Sequence, residues 1–115
     1  MDIKEEIYEI SRKIDSNSEK IGLVRRRLHD LQDEESLYRR DAVRRAQEIE
    51  DMPSVLQGDI LLKLQMEAFA ALDDIRKDAE NAFLTERDQL EDLLKSLESE
   101  NDELLQKKRE LMEES

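Results

Sequence analysis

The sequence predicts an all-α fold, a long antiparallel two-helix hairpin of coiled-coil character, on three observations. Charged residues make up 43% of the 115 positions and aromatic residues 3%, with only two glycines and one proline; that composition favours long helices over a broad globular core. Apolar residues recur at alternating spacings of four and three in both halves of the chain, the period of a helical seam. Between the halves lies one cluster of breaking residues, running from Pro53 to Asp59. Together these place helix 1 at about 2–51, a turn at about 52–59 and helix 2 at about 59–113, in a single domain spanning 1–115.

Helix 1 is carried by Ile3, Ile7, Ile10 and Ile14, then Ile21, Val24, Leu28 and Leu31, then Tyr38, Ala42, Ile49, Met52 and Leu56. With Ile7 at position a, the same row also takes in Asn17, Glu35 and Arg45, so its middle should be wetter than its ends. Pro53 has no amide hydrogen and biases Met52 away from helical geometry, Ser54 and Gln57 match a capping box, and Gly58-Asp59 is a turn pair. Helix 2 follows through Leu62, Met66, Phe69, Leu72, Ala79, Phe83, Leu90, Leu94, Leu97, Asn101, Leu104 and Leu111, without any glycine or proline.

Helices of similar length joined by a short break return antiparallel, and two polar residues in the seam propose the register. Setting Asn17 opposite Asn101 centres the turn on Asp59. It then matches Ile14 with Leu104, Ile21 with Leu97, Val24 with Leu94, Ile49 with Phe69 and Met52 with Met66. A buried asparagine pair costs stability but disfavours slippage, because any slip buries an unpaired amide at about 1–3 kcal/mol.

Charge is unevenly distributed. Residues 1–45 carry as many bases as acids, whereas residues 46–115 carry twenty acids against eight bases and hold the whole net charge of −12. Such a chain is a poor match for nucleic acid or an anionic membrane. Arg25-Arg26-Arg27, Arg39-Arg40 and Arg44-Arg45 are interrupted by Asp30, Asp33, Glu34, Glu35 and Asp41, and the heptads run through them instead of starting after them, unlike a DNA-binding zipper. They are expected to pair with the acidic second helix. No stretch approaches the roughly 18 apolar residues of a membrane span, and Met1-Asp2-Ile3-Lys4-Glu5-Glu6 does not resemble a cleaved signal peptide, so a cytoplasmic location is expected.

Chemistry has little to work with. There is no cysteine, and the single histidine, His29, falls at a solvent-facing position with no second histidine to complete a ligand set. Asp73-Asp74, Asp33-Glu34-Glu35 and Glu98 with Asp102 lie on helix surfaces, without the burial that raises a catalytic carboxyl. Phosphate-cradling loops and metal-ligand spacings are missing, so the expectation is a non-enzyme that uses no cofactor and no metal.

Apolar residues outside the seam are more informative. Leu23, Leu37 and Val43 on helix 1, and Leu61, Leu64, Leu84 and Leu105 on helix 2, exceed what one internal seam can bury. They are the candidate partner-binding residues.

Leu56-Gln57-Gly58 stands at the turn, with Leu in the place of Trp, and Phe69-Ala70-Ala71-Leu72-Asp73 has a Phe-x-x-x-Asp spacing, just after the turn and not near the C-terminus. In these features and in its acidic, cysteine-free hairpin pattern the chain resembles the small partners of bacterial type VII secretion. These include the Trp-x-Gly hairpin proteins and the helical accessory proteins encoded beside LXG-domain toxins. The resemblance implies a chaperone-like partner that docks on the helical N-terminal domain of a toxin, together with a second small helical protein, and targets it for export without a cleaved signal. It also implies an export role for Phe69 and Asp73, against which stands the expectation that Phe69 fills the seam. A self-associating coiled-coil scaffold, forming a homodimer, is the alternative from another class, and a type III-like export chaperone or stalk hairpin is a third.

Overall fold

A computed structural model describes residues 2–52 and 58–115. The chain is an all-α two-helix hairpin, with α1 at Ile3–Glu50 and α2 at Gly58–Glu114. Pro53, Ser54, Leu56 and Gln57, on which the expected capping box and turn motif rest, lie outside the described residues. Asp2 caps α1: its carbonyl accepts the first i→i−4 bond, from the Glu6 amide at 3.0 Å, and its side chain accepts from the Lys4 amide at 3.4 Å, a donor that a helix start leaves free. At the other end the Met52 amide donates to the Ile49 carbonyl at 3.3 Å, tightening the last turn.

The residues group into two compact units, one formed by Met1–His29 with Arg87–Ser115 and the other by Asp30–Glu86. In the first, α1 and α2 run antiparallel about a core of Ile21, Val24 and Leu97, against which Leu28, Leu90 and Leu94 pack. Closer to the termini, the Asn101 side-chain amide donates to the Ser18 hydroxyl at 3.3 Å and the Ile14 carbonyl at 3.5 Å. Asn101 therefore sits on the turn of α1 that carries Asn17, and both are buried, at 8% and 6% exposure. Asn17 Nδ2 and Asn101 Oδ1 have no partner, so the two asparagines share a layer without a direct bond.

The second unit is also an antiparallel pair, with far less in its interior. Leu31, 2% exposed, is its one fully buried large side chain among the described residues. Tyr38 and Phe83 meet edge to face with ring centres 6.0 Å apart. Glu35 is half-buried and accepts from Arg39 at 2.7 Å. Arg45 turns outward to Asp41, at 2.9 Å, and Ala46 is half-buried beside it.

Here the structure corrects the expected seam. Leu62, Met66 and Phe69 do not face α1 as a buried row: Leu62 is 58% and Met66 64% exposed, and Phe69, at 36%, lines an open groove together with Ala42, Val43 and Ala46. The half-buried positions are Leu61, Gln65, Ala68 and Leu72. Gln65 supplies the reason, because its side-chain amide donates to the Ile49 carbonyl at 3.0 Å and the Glu50 carbonyl at 3.4 Å. Those carbonyls lie at the end of α1, where the Met52 amide is the backbone donor that reaches Ile49, and Gln65 adds a side-chain donor that Met66 or Phe69 at this point could not supply.

Candidate docking surface

Around α2, the apolar positions from Ile60 to Ile75 span far more than one stripe. At about 100° per residue they cover roughly 240° of the helix, against about 100° for an amphipathic helix packed on one side. Leu61, Ala68 and Leu72 face α1. Leu62, Met66 and Phe69 form a row on one flank, and Ile60, Leu64, Ala71 and Ile75 a row on the other. Except for the small Ala71, every member of these two flanking rows is a large side chain that the fold leaves exposed.

Two open grooves follow from this, one on each side of the helix pair. The first, a cavity of about 540 Å³, has Ala42, Val43, Ala46, Phe69 and Leu72 as its apolar wall, and Arg39, Asp73, Arg76 and Glu80 as its charged rim. The second, about 420 Å³, is lined by Ile49, Met52, Ala68, Ala71, Leu72 and Ile75, with Arg45 and Glu48 at its edge. Alanines at 42, 46, 68 and 71 keep both floors low, which allows an incoming helix to approach closely.

Of the residues singled out in the sequence, Leu23, Leu37, Val43, Leu64, Leu84 and Leu105 are exposed. Leu61 is not among them: it is half-buried on the α1-facing side of α2, and its place on the surface is taken by Leu62. Val43, Phe69 and Asp73 come together in the first groove, whereas Leu37 lies by Arg40, Asp41 and Arg44 in a shallow, charged depression. Leu23 and Leu105 belong to the other unit. Ile75, Leu62 and Met66 are surface residues that sequence spacing did not mark as such; a helical wheel of residues 60–75, showing three adjacent apolar rows, is the signal that finds them.

Asp73 is bound by its own helix. Its carboxylate accepts from Lys77 at 3.1 Å and Arg76 at 2.9 Å, and the Lys77 ammonium, with help from Arg76, holds its pKa below the usual carboxylate value. Phe69, one turn before it, is 36% exposed. His29 is exposed. Among the described residues no group of three His, Cys, Asp or Glu side chains is placed to hold a metal ion, and no helix is long and apolar enough to cross a membrane. Comparison of the chain with protein-family models, with curated proteins and with solved structures finds no match.

Proposed function

We propose that the chain is a non-catalytic docking protein whose second unit, residues 30–86, supplies two helices to a bundle completed by helices of another protein. One observation carries this reading: α2 between Ile60 and Ile75 is apolar over more than half its circumference, while α1 covers only the strip that includes Leu61, Ala68 and Leu72. A helix of that kind belongs in the interior of a bundle. With large apolar side chains left on both flanks, further helices are the occupants that match their spacing of three and four.

The likeness to type VII accessory proteins names a class of partner, the helical N-terminal domain of an LXG toxin. By covering apolar helix surface that the toxin domain cannot bury alone, the hairpin keeps it soluble and completes the shape that the export machinery reads. Co-expression with the helical N-terminal domain of an LXG toxin tests the idea. A stable complex is expected, and it should be lost on Leu62→Glu with Met66→Glu while circular dichroism of the hairpin is unchanged. Failure to form the complex, with the purified chain instead a stable dimer, supports the scaffold reading in its place.

A further inference from the structure

The two flanks of α2 are not equivalent in charge, and the difference identifies what docks on one of them. Residues 30–86 carry fifteen acidic side chains and seven basic ones. Most of the basic ones are already engaged: Arg39 with Glu35, Arg44 and Arg45 with Asp41, and Arg76 and Lys77 with Asp73. Around the first groove the rim is balanced, with Arg39 and Arg76 against Asp73 and Glu80.

Around the second the two charged lining residues, Arg45 and Glu48, also balance, and the excess of acid lies farther round α2. By helical position, Glu67, Asp74 and Asp78 border the row of Ile60, Leu64, Ala71 and Ile75. None of the three makes an ion pair among the described residues. Across the groove α1 contributes Glu48, whose single contact with Arg44 is at 3.9 Å, and Arg45, which is held by Asp41. The groove thus has an apolar floor of Ile49, Met52, Leu72 and Ile75, low alanines at 68 and 71 and one charge of each sign at its edge, and the carboxylates of Glu67, Asp74 and Asp78 lie beyond it on the outer side of α2 by helical position.

We infer that this second groove receives an amphipathic helix of another protein with an apolar stripe at three- and four-residue spacing and lysines or arginines along its flanks. Charge argues against a second copy as the occupant, because two chains would bring together −12 on each side. A basic helix gains on both counts. Its stripe covers Ile75 and Met52, and its cations reach Glu67, Asp74 and Asp78, three carboxylates that make no ion pair among the described residues and have Lys63 as the one base beside them on that face. The inference rests on the docking reading above and specifies the chemistry of the partner at one of the two grooves.

Three synthetic peptides of about three heptads each test it: one with leucines at a and d and lysines elsewhere, one with the same leucines and glutamates, and one with the lysine composition scrambled to destroy the stripe. Binding to the full chain is read by fluorescence anisotropy. The lysine–leucine peptide should bind at least tenfold more tightly than either control. Its affinity should fall at least tenfold with Ile75→Glu, and again with Glu67→Lys, Asp74→Lys and Asp78→Lys combined, both variants retaining wild-type helicity; the lysine triple should also lose most of the salt dependence. Equal binding of the scrambled or the glutamate peptide overturns the inference. So does unchanged binding by the Ile75→Glu chain, or a dimer of the chain alone that Ile75→Glu dissociates. If the peptides fail to discriminate while the toxin domain still co-purifies through Leu62 and Met66, the docking reading survives and the basic occupant does not.

Discussion

Replacing Asn17 with leucine should stabilise the hairpin, and by an amount that follows from its surroundings. Asn17 is 94% buried by complement of its 6% exposure, yet its Nδ2 has no partner. An orphaned buried donor costs about 1–3 kcal/mol, and burying a leucine side chain contributes about 1.5–3 kcal/mol. Fitting a branched side chain into a seam built for an amide takes back on the order of 1–3 kcal/mol. The net is a gain of about 2 kcal/mol, or roughly 8 °C in melting temperature for a chain of this size. Asn101→Leu should gain less, because it removes the bonds to Ser18 and Ile14 along with its own orphaned Oδ1. Thermal and urea unfolding followed at 222 nm measure both. Register can be checked with Val24→Cys and Leu94→Cys in the otherwise cysteine-free chain, since both side chains belong to the same core cluster. A loss of 1 kcal/mol or more with Asn17→Leu would refute the reasoning, for it would mean that Asn17 and Asn101 bond directly in solution.

Further expectations concern the second unit. Leu31→Ala should destabilise the protein by about 3 kcal/mol through the cavity it opens, measured by urea denaturation, because this is the unit's one fully buried large side chain among the described residues. Phe69→Ala should cost about 2 kcal/mol, below the 3–5 kcal/mol typical of a fully buried ring, while weakening the proposed complex with a helical partner. Asp73 titrates below the usual carboxylate range in the folded chain, so the stability it contributes is present above its unfolded pKa and lost as pH falls through the folded one. Melting curves between neutral and acid pH should therefore lose part of their slope in Asp73→Asn, and a carboxyl titration followed by NMR should show the lowered value directly.

How much of this was legible in the sequence differs between the units, for a physical reason. Around Ile21, Val24, Leu94 and Leu97 each helix has one continuous apolar row with only isolated leucines such as Leu23 and Leu93 beside it, so spacing alone says which side chains meet, and Asn17 and Asn101 stand out as polar members of it. Between Ile60 and Ile75 the helix carries three adjacent rows. Period cannot choose among them, because Leu62, Met66 and Phe69 have the same spacing as Leu61, Gln65 and Ala68. What accompanies the observed choice is something periodicity does not encode: Gln65 donates to the Ile49 and Glu50 carbonyls at the end of α1, a bond that no apolar side chain there could make. The same excess of rows that hides the seam leaves the exposed apolar flanks, and for that reason spacing alone places Leu61 on the surface where the structure has Leu62 and Ile75. In the Phe69–Asp73 pair the spacing was visible, but not the tie of Asp73 to Lys77 and Arg76, which depends on side-chain geometry.

Amide hydrogen exchange, read by mass spectrometry on the purified chain alone and mixed with the proposed partner, the helical domain of an LXG toxin, tests most directly whether residues 60–75 are a surface made to be covered. Alone, these amides should exchange faster than those of residues 90–104, which lie in the better-buried unit. In the complex, protection at 60–75 should rise at least a hundredfold, corresponding to about 2.7 kcal/mol, with little change at 90–104. Protection at 60–75 that already matches 90–104 in the isolated monomer, and does not move when the toxin domain is bound, would contradict the account.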